Sequence, residues 1–315
     1  MFLDTLLKDY KVKSAQLLRE RSFVVNDNMQ RSRDNYYLGL SNEGFHRLYY
    51  REWGDPENEN TIVCVHGVTR ISHDFDVLAK KLSKKYRVVC PDIVGRGNSD
   101  WFGNKENYNF VQYCADINAL IAHLRVDKVH YFGTSMGGLI GMILAAMAHT
   151  PLESLILNDV GPDIKRTELR RMGEYIGKAP IFPTKKELYA YCNDIYQGYG
   201  DLLTENQLKE MARYSAFKTD GGYRMHYDTK VGDAFRKNYS FFNFDLWKYW
   251  DEIECPILIL RGSESTFFPR DVAEKMVERT SDAELVEIAG AGHTPPLKTP
   301  GEIKTIESFY RKIIV

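Results

Sequence analysis

Short runs of apolar and β-branched residues recur along this chain with helix-length gaps between them, and that alternation constrains the fold more than any other feature. Residues 61 to 67, 87 to 100 with its glycine-rich loop, 128 to 133, 152 to 159, 255 to 262 and 283 to 290 each read as a strand bounded by glycine, proline or charge. A helix over about 72 to 82 fits between the first two runs. Runs this apolar do not alternate inside and outside, so both of their faces must be covered. Strands of that kind, interleaved with helices, predict a mostly parallel sheet with helices on both sides. Residues 36 to 53, with Tyr37, Leu38, His46, Leu48 and Tyr50, read as two antiparallel strands leading into it.

The alternation lapses between Gly161 and Asp245, where charged helical stretches rich in Tyr and Phe replace the strands. Gly161-Pro162 marks one edge of this insertion, and the strand pattern resumes after Trp250. The predicted organisation is an N-terminal helical extension over 1–35, an α/β core over 36–160 and 246–315, and the insertion over 161–245. Apolar residues Phe2, Leu3, Leu6, Leu7, Leu17 and Leu18 recur near helical spacing in the extension, while Asp4, Lys8, Asp9, Lys11 and Lys13 interrupt any secretory signal core.

A length of 315 residues accommodates one large core and one insertion. With 42 basic and 43 acidic residues, the chain has no net field to draw in nucleic acid. No run of residues approaches the length of an integral membrane segment. Cys64, Cys90, Cys114, Cys192 and Cys255 stand far apart, which fits neither a metal site nor a redox pair and predicts reduced thiols in a cytoplasmic protein. The expected metal content and cofactor content are none, and the expected partner is a small-molecule substrate.

The densest chemistry lies at Gly133-Thr134-Ser135-Met136-Gly137, after one predicted strand and before a small-residue helix. A chain turning this sharply holds its central side chain at a strained apex, and flanking glycines remove the Cβ atoms that would collide there. Ser135 is thereby offered as a nucleophile. The Met136 N–H, at the positive end of the following helix, is the first expected oxyanion donor; Val68 N–H, in the His66-Gly67-Val68 turn, is the second. His66 itself is expected to brace the turn. His293 sits in a loop stiffened by Pro295 and Pro296 and bent by Gly290 and Gly292, beyond the last predicted strand, where it suits a general base.

In order along the chain, His66-Gly67, Asp92-x-x-Gly95-x-Gly97-x-Ser99, Gly133-x-Ser135-x-Gly137 and Gly292-His293 together resemble the α/β-hydrolase superfamily over residues 36 to 315. The resemblance implies a mostly parallel eight-stranded sheet, a helical cap over 161–245, a structural role for the 92–99 loop, and a Ser-acid-His order. It also exposes a departure: where many relatives carry an aspartate after the penultimate strand, this chain reads Gly262-Ser263-Glu264-Ser265-Thr266, with Thr266 in the acid's place. Asp159, at the end of the strand before the insertion, is the preferred acid because a strand end is a rigid support; Glu264 is the alternative.

The expected activity is serine hydrolysis of a carboxylic ester, or a thioester, with a small to medium apolar acyl or aromatic group. Carbon–carbon bond hydrolysis on the same triad and a non-catalytic binding role are the alternatives. Tyr175, Ile176, Phe182, Tyr189, Tyr191, Tyr196, Tyr199, Phe217 and Tyr223 are expected either to roof the active site or to form the cap's own core.

Overall fold

The computed structural model describes residues 32–178, 180–239 and 244–314. Most of the amphipathic N-terminal segment therefore lies outside the described residues. The chain enters the sheet on an antiparallel hairpin, β1 (Arg33–Ser41) and β2 (Gly44–Trp53), so residues 33–35 belong to a strand and not to the expected extension. There follow β3 (Thr61–Val65), α1 (Asp76–Leu82), β4 (Arg87–Pro91), α2 (Phe110–Leu124), β5 (Val129–Thr134), α3 (Met136–Ala145) and β6 (Leu152–Asn158).

Between β6 and the next strand of the main sheet runs a long excursion. It contains β7 (Asp163–Ile164), α4 (Arg166–Tyr175), α5 (Lys185–Ile195), α6 (Glu205–Tyr214), the hairpin β8 (Ala216–Thr219) and β9 (Gly222–Met225), α7 (Lys230–Tyr239) and β10 (Phe244–Asp245). Phe244 pairs with Ile164 and Asp245 with Asp163, so the chain leaves and returns through one narrow two-stranded neck. The short helix α8 (Trp247–Trp250) leads to β11 (Ile257–Gly262), α9 (Arg270–Glu278), β12 (Ala283–Ile288) and α10 (Pro300–Ile313).

The main sheet has eight strands in the order β1-β2-β4-β3-β5-β6-β11-β12. Only the pairings of β2 are antiparallel; β4 through β12 are parallel. Every residue of β3, β4, β5 and β11 is buried, as two covered faces require. Successive side chains still part to opposite sides. Val63 and Val65 join the layer with Ile117 and Leu120 of α2 and Ile140 of α3, whereas Ile62 and Cys64 join the layer with Leu78 of α1 and Ile306 of α10. A separate cluster, with Leu188, Cys192, Met211 and Met225, forms the core of the excursion itself. Among the described residues no helix is long and apolar enough to cross a membrane.

Candidate active site

β5 ends at Thr134 and α3 begins at Met136, leaving Ser135 alone at the apex with φ 50° and ψ −115°. A backbone in that region costs about 1–3 kcal/mol and persists only where its surroundings over-determine it. They do. A Cβ on Gly133 would lie 2.4 Å from the backbone of Gly137, and one on Gly137 would lie 2.1 Å from the carbonyl oxygen of Val65. The Ser135 N–H donates to the Asn158 carbonyl at 3.0 Å, and the Ser135 carbonyl accepts from Gly138 and Leu139 at 2.8 and 3.1 Å. Ser135 is thereby held at the carboxyl end of β5.

There Ser135 Oγ lies 3.1 Å from His293 Nε2, and His293 Nδ1 lies 2.7 Å from Asp159 Oδ2. With Nδ1–H donating to the carboxylate, Nε2 is left as the acceptor for the serine hydroxyl. The imidazole packs against the Phe267 ring, centroids 4.1 Å apart. Asp159 is fully buried one residue beyond β6. Burying a carboxylate is tolerable where donors surround it, and here Gly262 N–H donates to Oδ1 at 2.8 Å while Ser265 Oγ–H donates to Oδ2 at 2.6 Å.

The alternative acid lies elsewhere. Parallel pairing of Leu260 with Asn158 sets the ends of β6 and β11 side by side, so Gly262 meets the Asp159 carboxylate through its backbone; the chain then turns outward and Glu264 is exposed. Thr266 is exposed too, 3.4 Å from Arg171. Ser265, which donates to Asp159, carries no motif of its own in the sequence. Its signal was there in hindsight: a hydroxyl stands beside the position that lacks the aspartate.

The His66-Gly67-Val68 turn approaches Ser135 closely enough that a Cβ on Gly67 would lie 3.7 Å from Ser135 Cβ. Val68, Ser135 and Met136 line one cavity, and the first N–H groups of α3 have no preceding helical carbonyl to bond. His66 Nε2 accepts from the Ile93 N–H at 3.0 Å and Nδ1 lies 2.7 Å from the Gly67 carbonyl. Burial pushes its pKa down to about 3, keeping it a neutral brace. The 92–99 loop is locked by Asp92, which accepts from Ser72 and Asn98 N–H at 2.7 and 2.9 Å. Gly97, at φ 51°, has no room for a Cβ, which would fall 2.0 Å from that carboxylate.

From the excursion, the cavity is lined by Ile164, Leu169, Met172, Val231, Phe235 and Phe244. None of the nine residues weighed between the roof of the site and the cap's own core lines it. Phe182, Tyr196 and Tyr199 are buried in the excursion's own cluster, with Tyr189, Tyr191 and Tyr223 packed against it. The lining comes from the neck strands and from α4 and α7, whose apolar positions are spread over a long stretch and stand out weakly in the sequence.

The family follows from fold, site and sequence together. Residues 60–300 match the model of the alpha/beta hydrolase fold, and the chain belongs to the α/β-hydrolase superfamily. A 3-hydroxybutyrate-oligomer hydrolase from Cupriavidus necator is 39% identical over 278 residues, covering 86% of this chain and 95% of that protein. Among solved structures, a hydrolase from Rickettsia typhi superposes with a TM-score of 0.82 at 32% identity, covering 90% of this chain and 99% of that one. An α/β hydrolase from Novosphingobium aromaticivorans gives 0.81 at 29% identity, over 91% and 100% of the two chains.

Proposed function

We propose that the protein is a serine hydrolase of carboxylic esters, with Ser135 as nucleophile, His293 as general base and then general acid, and Asp159 as the carboxylate that orients the imidazole. The observation that carries this reading is the continuous hydrogen-bonded path from Ser135 Oγ through His293 to Asp159, at 3.1 and 2.7 Å. As Oγ attacks the ester carbonyl carbon, its proton passes to Nε2, and the Val68 and Met136 N–H groups receive the developing oxyanion. Collapse of the tetrahedral intermediate breaks the carbon–oxygen bond to the alcohol, which leaves with the proton from Nε2. Water, deprotonated by the same nitrogen, then attacks the acyl-enzyme and releases the acid with Ser135 restored. These steps call for no metal or organic cofactor.

The cavity beside Ser135 is mainly apolar, which favours short, branched acyl groups. The identity to the Cupriavidus necator 3-hydroxybutyrate-oligomer hydrolase points the same way, and esters of short hydroxy acids are the substrate class we infer. Labelling by a fluorophosphonate probe, with Ser135→Ala as the control, and turnover of p-nitrophenyl butyrate test the reading. Labelling and turnover that survive the substitution would refute it.

A further inference from the structure

One charged group borders the cavity at Ser135, and ester cleavage as derived above does not use it. Arg96, in the loop after β4, is wholly buried and, among the described residues, is the single charged one lining that cavity. Its Nε donates to the Val68 carbonyl at 2.8 Å, and its Nη1 donates to the Val94 carbonyl at 2.8 Å and Tyr113 Oη at 3.0 Å. Nη2 reaches only the Met136 thioether sulfur, at 3.5 Å. The guanidinium also lies over the Tyr113 ring, 5.0 Å from its centroid. Among the described residues no carboxylate pairs with it.

A buried cation without a counter-charge is costly, and carbonyls, a phenol and the faces of the Tyr108 and Tyr113 rings offset that only in part. A thioether is a weak acceptor on a flexible side chain, easily displaced by a better one. The group that best matches the planar fork of an arginine is a carboxylate. The position is informative as well: Arg96 reaches both Val68 and Met136, the two residues proposed to hold the oxyanion.

We propose that Arg96 binds a free carboxylate carried by the substrate a few bonds from the scissile ester, as at the acid end of a β-hydroxy-acid oligoester, with Nη2 exchanging Met136 Sδ for a carboxylate oxygen. The inference rests on the ester-hydrolase reading. With the terminal carboxylate at Arg96, the last ester bond lies at Ser135, and the alcohol that leaves is the terminal hydroxy acid. Oligoesters are then shortened one unit at a time from the carboxyl end, and a preceding hydrolysis of longer polyester must supply those free ends.

The test compares kcat/KM for the 3-hydroxybutyrate dimer and for its methyl ester, in the wild type, Arg96→Lys and Arg96→Met. The wild type is expected to prefer the free acid by about 30-fold, within the range for a hydrogen bond to a charged group. That ratio should collapse to about threefold or less in Arg96→Met and fall between in Arg96→Lys, with fluorophosphonate labelling of Ser135 reporting an intact site. A wild type that cleaves neither dimer form, or cleaves both equally, overturns the proposal without any variant. So does a ratio that persists in Arg96→Met while both rates drop, since that is the signature of a residue that merely braces Val68. If p-nitrophenyl butyrate is cleaved with dependence on Ser135, such failures strike Arg96 alone; if none of the three esters is cleaved, the ester-hydrolase reading falls with it.

Discussion

The cavity has a floor and a roof, and they are built differently. The floor, at the carboxyl edge of the sheet, is held by backbone packed against backbone, with Gly133 and Gly137 in contacts that leave no space for a methyl group. The roof is the excursion between β7 and β10: one part of it has its own core, Leu169, Met172, Ile176, Val231 and Ala234 join the main core, and polar contacts tie it further to the floor. Arg70 donates to Tyr196 Oη and lies over its ring, 4.7 Å from the centroid. Gly198 accepts from the Gly292 N–H at 2.5 Å, and Tyr108 Oη–H donates to Asp228 at 2.7 Å. Ser135, His293 and Asp159 thus sit where backbone contacts make displacement costly, and the excursion contributes side chains to the cavity walls.

The sharpest break of that contrast is chemical. Ser135→Ala and Asp159→Asn, both in the floor, are each expected to lower kcat for p-nitrophenyl butyrate by about 10⁴-fold, or ~5.5 kcal/mol. Glu264→Gln, on the surface, should stay within about twofold, and a loss comparable to that of Asp159→Asn would transfer the orienting role to Glu264. Next in size is stability. Gly137→Ala should cost about 3 kcal/mol or abolish folding, because its methyl meets the Val65 carbonyl. Gly221→Ala in the roof, whose nearest neighbour is Ile181 at 3.5 Å, should stay within about 0.5 kcal/mol. Urea midpoints of the two variants would decide it.

His66 provides a pH test of the floor. Its folded pKa of about 3 lies below the ordinary histidine value of 6.5. The folded state therefore holds fewer protons than the unfolded one, and the stability from neutral His66 is complete above about pH 6.5 and lost as pH falls toward 3. Between pH 6.5 and 5 the loss should be about 2 kcal/mol. Denaturation midpoints for His66→Gln should flatten over that interval; an unchanged slope would assign the acid sensitivity to other groups. The smallest effect belongs to the roof. Tyr196→Phe removes the hydroxyl that joins Arg70 to Ser215 Oγ, the latter at 2.8 Å, and should lower stability by about 1 kcal/mol while leaving kcat near that of the wild type. A loss in kcat as large as that of Asp159→Asn would mean that roof and floor are not separable.

Much of the floor was legible in the residues because its signals are contiguous. A buried strand, an apex residue between glycines and a small-residue helix occupy one short stretch, and the loop of His293 has its own prolines and glycines. The order of strands and helices, and hence the α/β fold, could be read for the same reason: each element's pattern is local. The insertion was visible as a lapse in that pattern, but the aromatic residues that drew attention to it proved to be largely the roof's own core, since large rings bury wherever a separate cluster needs volume.

The sequence alone thus determined the fold class, the turn that presents Ser135 and the loop that carries His293, because each is encoded by neighbours along the chain. Tertiary structure decided which carboxylate meets the imidazole, since that depends on how β6 and β11 are registered and not on anything near Asp159 or Glu264 in sequence. It also decided the walls of the cavity and the standing of Arg96. In a chain of net charge −1, an arginine in a glycine-rich loop resembles any other. Only the folding of that loop between the Val68 turn and the start of α3 makes it a buried cation lining the same cavity as Ser135.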